Sequence, residues 1–524
     1  MKRKVTLVFS WGAVLLTGAV LRFSALEQRP MHTDEAVHAI KFQNLLQDQE
    51  YEYDPFEYHG PTLNVFSLLP CSLTGVDTIA ATTERHLRMV PALFGWLLIL
   101  TPLLAVTLIG HRAAGLAGVF IAISPAFVFY SRYYIQEMLL VVFIMSALLL
   151  FVLAVRDQRR LFVFLSGLCW GLAAATKETW IIPAGILAMM SVIFTVLHQR
   201  NLAGSLTRYL MFGLLLLGGF VLPFVIFYSE WFTDFGALSK PFEAFSVYLN
   251  RAGGGAHLHP WWTYFRWYGF YNSADSFYTE GFILLSALGG LTMAVHRRFT
   301  ETSLLFLGLP TCFRKYAAVF TLAIAGIYIL LPYKTPWSFL TVWVIFSVWA
   351  GLFWKQLFEL VKNRLWILAL AVLISGTVHL LAQTLQLNFK YDAHPQNPYV
   401  YGHTSPDILN LVDTVRDICA AVPDSENYHI EVIMPGHDYW PLPWYLRNIE
   451  YVGWYDSVPQ TLPLPKLVVI PPEFETDLVR RIYELPPPGE RLLYVPLAKS
   501  SYFLRPDVQL EVFVQKRWRD PLQN

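Results

Sequence analysis

The chain has 524 residues, of which 55% are hydrophobic and 15% charged, with a mean hydropathy of +0.43. Soluble domains carry about a quarter charged residues, so an ordinary soluble globule is excluded. A net charge of +1 excludes the basic surface that nucleic-acid binding needs, and four scattered cysteines (Cys71, Cys169, Cys312 and Cys419) exclude a disulfide-built scaffold or a clustered zinc site.

Long apolar runs recur between short polar stretches. A helix of about 20 apolar residues spans the roughly 30 Å hydrocarbon core. The N-terminal Met-Lys-Arg-Lys precedes an apolar run to about Val20, which reads as an uncleaved signal-anchor forming the first span. The expected spans lie at roughly 5–25, 88–109, 113–130, 138–155, 161–176, 180–197, 208–228, 277–295, 316–332, 337–353 and 365–386, about eleven in all. The apolar stretches 61–74 and 301–313 are short and read as interfacial or re-entrant pieces.

Lysine and arginine concentrate in alternate loops: Arg112, Arg156, Arg159-Arg160, Arg200, Arg208, Arg297-Arg298, Arg314-Lys315, Lys355, Lys362 and Arg364. The positive-inside rule then puts the N-terminus in the cytoplasm and, with an odd number of spans, the C-terminus outside. The expected location is the plasma or inner membrane. The outer side holds long loops at about 26–87 and 229–276, short turns at Ser131–Glu137, Lys177–Glu178 and Pro332–Trp337, and a polar tail. In the tail, Ser405–Ala421 reads as an amphipathic helix capped by Ser405 with Pro406 in its first turn. Residues 429–434, 466–470, 491–495 and 509–514 read as strands. The expected architecture is a polytopic α-helical membrane domain over 1–387 and a small extracytoplasmic α/β domain over 388–524.

Titratable residues cluster on that outer side. A helix expected from Thr33 to about Leu46 places Asp34 and His38 on one face, four residues apart. The pair reads equally as an acidic first turn suited to the helix dipole or as a carboxylate base at the membrane surface, although a helix N-terminus weakens a carboxylate as a base. Asp54 and His59 follow in an aromatic, proline-rich stretch and read as a pocket wall or as a surface loop. Arg88 stands where the second span begins, and Arg132 and Glu137 flank the turn between the third and fourth. Each reads either as snorkelling or pairing, or as an anion-binding group. Lys177 and Lys334 lie in tight turns, and the prolines around Lys334 hold it at the interface beside Trp337. His257 and His259 sit in a glycine-rich loop, as part of a lid or as metal ligands.

These residues resemble a known group. The Asp34-Glu35 pair in a long first loop, Arg88-x-x-Pro-Ala-Leu-Phe-Gly95 and Ser124-Pro125 with Tyr130-Ser-Arg-x-x-x-x-Glu137 resemble the GT-C superfamily of membrane glycosyltransferases, which includes protein O-mannosyltransferases and aminoarabinose transferases. Asp34-Glu-Ala-Val-His-Ala39, Tyr58-His-Gly-Pro61, Pro332-Tyr-Lys-Thr-Pro-Trp337 and Trp440-Pro-Leu-Pro-Trp-Tyr-Leu-Arg447 are similar to the flippase activity-associated family within it. The resemblance implies an inverting transfer from a polyprenyl-phosphate sugar to a glycan, lipid or protein acceptor. Asp34 matches the catalytic acidic residue that deprotonates the acceptor, and Glu35 is the second member of that pair, orienting Asp34 or an acceptor. Arg132, Lys177, Lys334 and Arg88 are the candidates for the donor phosphate. His38, Asp54, His59, Glu137 and Trp337 are the candidates for the pocket. No complete acidic set is evident, so no obligatory metal or other cofactor is expected. The alternative is a non-enzymatic transporter or flippase-associated protein that binds lipid-linked glycans. Concentration of charge at one interface, rather than at mid-bilayer, favours the enzyme.

Overall fold

The computed structural model describes residues 2–48, 51–57, 59–198, 206–252, 257–273, 276–296, 309, 312–421, 429–461, 463–497 and 501–519. Among the described residues, eight helices are long and apolar enough to cross a membrane: Glu84–Leu104, Val106–Ile123, Glu137–Asp157, Glu178–Leu197, Thr207–Tyr228, Phe313–Leu330, Pro336–Leu360 and Arg364–Lys390. They coincide with eight of the expected spans. The other three expected spans carry shorter apolar helices at Trp11–Phe23, Arg160–Ala174 and Gly281–Val295. The chain is a multi-pass membrane protein.

One expected span is displaced. The stretch 113–130 is broken at Ser124-Pro125, so the helix Val106–Ile123 stops and a short helix, Pro125–Ser131, restarts. Proline has no N–H to continue the ladder, and Ser124 caps the new helix by accepting from Phe127 N–H. The expected interfacial piece at 61–74 is a helix, Thr62–Thr74, closed by Gly75 in the left-handed region at φ +71°. Of the other expected piece, residues 301–308, 310 and 311 lie outside the described residues.

Close packing inside the bundle follows small residues. A Cβ on Gly167 or Gly171 would meet the carbonyls of Leu216 or Phe220 at 2.1–2.2 Å, so the helices Arg160–Ala174 and Leu206–Tyr228 touch backbone to backbone.

The C-terminal part forms a six-stranded mixed sheet. Strand Ile430–Ile433 pairs in parallel with Val452–Tyr455 and Leu467–Ile470. Strand Val508–Gln515 runs antiparallel to Leu467–Ile470, Tyr494–Pro496 and Tyr502–Arg505. The helices Asp407–Ala421 and Glu475–Tyr483 flank the sheet. Four strands and the first helix coincide with expectation. The strands at 452–455 and 502–505 and the second helix were not expected, because their short mixed sequences carry neither periodicity over enough residues to register. All four cysteines are free.

The sheet domain is tied to the first long loop through the stretch Trp440–Arg447. Trp444 Nε1 donates to Glu84 at 2.8 Å. Arg447 donates to the carbonyls of Ile79 and Thr82 at 3.0 and 2.7 Å and stacks on Trp444. Met31 N–H donates to the Tyr445 hydroxyl at 2.7 Å, and the Thr404 hydroxyl donates to Met31 O at 2.5 Å.

Candidate active site at one end of the helix bundle

The two neighbouring acids of the helix Thr33–Gln47 have opposite surroundings. Glu35 is fully buried. Its carboxylate receives Arg88 Nε and Nη2 at 2.7 Å each, Tyr134 N–H at 2.8 Å and His32 N–H at 3.0 Å. Burial would raise this carboxyl, but the Arg88 and Arg29 guanidiniums and these bonds outweigh it and hold the pKa down to about 2. Arg88 directs its remaining donors at the carbonyls of Leu26, Arg29 and Pro30. Its five N–H groups are thereby engaged, which corrects its assignment as a donor-phosphate ligand.

Asp34, by contrast, has a side chain 45% exposed, with Oδ2 at 3.9 Å from His32 Nδ1. His32 is the helix N-cap. Its Nδ1 accepts Asp34 N–H at 3.0 Å, so the ring proton sits on Nε2, which donates to Tyr401 O at 2.9 Å. The sequence pattern placed the helix start correctly but not the imidazole as its cap.

One turn along, His38 accepts a hydrogen bond from Gln136 Nε2 at 3.0 Å. It lies within electrostatic reach of His59, Asp34 and Lys177. Burial, aided by His59 and Lys177 against Asp34, pushes it down to about 4. Lys177 pairs with Glu137. Burial would lower the Lys177 ammonium, but the Glu137 carboxylate outweighs it and raises its pKa. His59 Nδ1 meets Glu178 at 2.8 Å, and the Tyr53 hydroxyl donates to the same carboxylate at 3.4 Å. Asp34, His38, His59, Glu137 and Lys177 thus form one polar cluster. Asp54 does not join it through its carboxylate, which accepts Phe56 N–H at 2.8 Å and closes a local turn.

Lys334 is almost fully buried. Its ammonium donates to the carbonyls of His259 and Leu331 and lies 5.9 Å from the Tyr264 ring centre. Among the described residues no carboxylate pairs with it, and burial holds its pKa below the ordinary lysine value. Trp337 is buried in an aromatic group with His32, Tyr130, Tyr133 and Tyr401 at centroid distances of 5.9–6.2 Å. Arg132 stands apart: it donates to Asn388 O and Ala25 O, at the C-terminal ends of two helices, and stacks on Phe389 at 4.3 Å. A cation there offsets two helix dipoles. No group of three His, Cys, Asp or Glu residues suited to a metal ion occurs among the described residues. His257 and His259 both meet the Tyr401 hydroxyl, at 2.7 and 2.9 Å. A groove of about 430 Å³ lined by Phe282, Ala371, Val372, Ser375, Gly376 and His379 shares no residue with this cluster.

The fold, with the long helices and the C-terminal sheet domain, has solved counterparts. ArnT from Cupriavidus metallidurans in the apo state superposes with a TM-score of 0.62 at 15% identity, over 98% of each chain. The same protein bound to undecaprenyl phosphate gives 0.60 at 15% identity, over 97% of each chain. The fold is the GT-C fold. The archaeal oligosaccharyltransferase AglB from Archaeoglobus fulgidus, in complex with an inhibitory peptide and a dolichol-phosphate, gives 0.56 at 15% identity, over 91% of this chain and 71% of that one. Residues 70–227 match the family model described as dolichyl-phosphate-mannose-protein mannosyltransferase. No curated protein matches the chain in sequence.

Within this GT-C fold, the matched segment carries Arg88, Tyr130, Arg132, Tyr133, Glu137 and Lys177, and the segments outside it supply Asp34, Lys334, Trp337 and Tyr401. Glu178, Gln136, His32, Tyr133 and Tyr401 were absent from the sequence-derived site. Glu178 had a visible signal, an acid flanking an apolar run. Tyr401 had none, since it reaches the site only through the docking of the C-terminal part.

Proposed function

We propose that this protein is a glycosyltransferase that moves a sugar from a polyprenyl-phosphate carrier to a cell-envelope acceptor, a glycan, lipid or protein, on the extracytoplasmic face. The observation that carries the reading is the contrast between the two acids: Glu35 is locked by Arg88, while Asp34 is left accessible beside a cluster of histidine and lysine side chains. The GT-C fold, and the lipid phosphates held by proteins that share it, support this choice of donor.

In the proposed step Asp34 takes the proton from an acceptor hydroxyl. The acceptor oxygen attacks the anomeric carbon, and the bond from that carbon to the phosphate oxygen breaks, with inversion in a single displacement. Charge accumulates on the departing lipid phosphate, where a fixed cation is most useful. Lys334 fits this need because no carboxylate among the described residues pairs with it. Lys177, shared with Glu137, is the second cation, and Trp337 forms part of the pocket wall. Glu35, Arg88 and Arg132 hold the frame that positions Asp34. The carrier tail stays in the bilayer while the acceptor arrives from outside.

The test uses purified protein in lipid with a panel of polyprenyl-phosphate sugars and envelope acceptors, following release of free polyprenyl phosphate. Acceptor-dependent release by the wild type, lost in Asp34→Asn at unchanged thermal stability, is the expected result. Turnover retained in Asp34→Asn would remove Asp34 as base. Lipid binding without turnover for any donor would favour a non-enzymatic lipid-linked-glycan binder.

A further inference from the structure

We propose that Tyr401 is a positioning residue that couples the proposed base to the proposed phosphate lysine, which gives the C-terminal part of the chain a role in the site. This inference rests on the transferase reading above.

Tyr401 works in two directions. Its backbone carbonyl accepts His32 Nε2–H at 2.9 Å, and the other nitrogen of that ring caps the helix at Asp34 N–H, 3.0 Å away. Its hydroxyl sits between His257 Nδ1 at 2.7 Å and His259 Nε2 at 2.9 Å. A phenol has one proton and two acceptor positions, so it bonds both rings either by donating to one imidazole and accepting from the other or by accepting from both. Those two histidines bracket the backbone that holds Lys334. Lys334 N–H donates to His257 O at 2.9 Å, His259 N–H donates to Pro332 O at 3.0 Å, and Lys334 Nζ donates to His259 O at 3.3 Å. The carbonyl side of Tyr401 therefore fixes Asp34, and the hydroxyl side fixes Lys334.

The strap around Tyr401 is anchored at both ends. Tyr399 donates to the buried Glu280 carboxylate at 2.5 Å, and Thr404 donates to Met31 O at 2.5 Å. Ser405 N–H continues onto Leu504 O of the sheet domain at 2.8 Å. A base and a leaving-group cation must be held at fixed separation, since small misplacements at the reacting centre cost large factors in rate. One residue bonded to both halves supplies that constraint.

The two directions can be cut separately. Tyr401→Phe removes only the hydroxyl, so Lys334 loosens while His32 keeps its carbonyl partner. His32→Asn keeps a helix cap, because asparagine caps well, and loses the bond to Tyr401. Steady-state kinetics on lipid-reconstituted protein are measured alongside equilibrium binding of a short-chain polyprenyl phosphate. Tyr401→Phe is expected to weaken binding about tenfold, since the two bonds it loses act on Lys334 only through the two histidines, with a smaller change in kcat. The loss should vanish in a Lys334→Gln background, where the group being held is already gone. His32→Asn is expected to lower kcat about tenfold with binding unchanged. Additive losses in Tyr401→Phe/Lys334→Gln, or variants that shift only the melting temperature, would overturn the coupling. Absence of turnover in the wild type would overturn the transferase reading and the Asp34 half with it. The binding cycle would then still decide the Lys334 half.

Discussion

The carboxylate of Glu35 and the guanidinium of Arg88 meet in a two-pronged ion pair, Oε1 to Nε and Oε2 to Nη2, both at 2.7 Å and both almost fully removed from solvent. Such a fork suits arginine and not lysine. It also gives adjacent acids in one helix turn different work. The pair consumes Glu35, and the carboxylate just before it in the chain, Asp34, is the accessible one.

Breaking that pair from either side leaves a buried charge unpaired, a change that costs about 3–5 kcal/mol. Glu35→Gln and Arg88→Leu are both expected to lower the melting temperature of the purified protein sharply. Because the Glu35 carboxyl is held at about 2, its contribution is complete above its unfolded value and disappears as pH falls toward 2. In Glu35→Gln this acid-dependent part of the unfolding profile should be missing. Melting curves of wild type and variant that run parallel down to low pH would contradict the assignment.

Lys334→Gln makes a different prediction. The proposed role is contact with a lipid phosphate, and a hydrogen bond to a charged group contributes about 1.5–3 kcal/mol. Donor KM is therefore expected to rise by about ten- to a hundredfold, with stability little changed, since the glutamine amide keeps an N–H donor for the carbonyls that the ammonium engages. A KM equal to the wild type's would move the phosphate elsewhere, with Lys177 the next candidate.

The limits of the sequence follow from the same residues. The helix at Thr33, most spans and four of the six C-terminal strands were legible because they depend on periodicity and caps within one segment. Asp34 and Glu35, however, look alike in sequence. Which of them is free depends on Arg88, more than fifty residues away, and on Tyr134 N–H. Arg88 and Arg132 looked like anion-binding groups because both stand near span ends. Their partners are backbone carbonyls and a buried acid, which no local pattern announces. The break at Ser124-Pro125 was visible as residues but was absorbed into an apolar run.

The Lys177–Glu137 pair is buried and bridges two helix starts, so each single substitution should destabilise. Lys177→Met is expected to strand the Glu137 carboxylate, and Glu137→Gln the Lys177 ammonium. Lys177→Met/Glu137→Leu removes both charges and should recover most of the lost melting temperature, as apolar replacements of buried pairs commonly do. Activity should not recover with it if Lys177 supports the departing phosphate. Recovery of both together would make the pair purely structural.

His38 gives the prediction with the clearest sign. In the folded protein burial and neighbouring cations push it down to about 4, against about 6.5 unfolded. Between those values the unfolded chain binds the extra proton, so stability must rise with pH through this window and fall as the solution is acidified. His38→Gln keeps a polar partner for Gln136 and removes the titration. The variant should lose part of the wild type's decline in melting temperature between about pH 6.5 and 4. The same shift makes His38 a weak base, and its ring is buried against Gln136, so the exposed carboxylate of Asp34 stays the proposed base. An acid limb of activity that disappears in His38→Gln would instead make His38 the base.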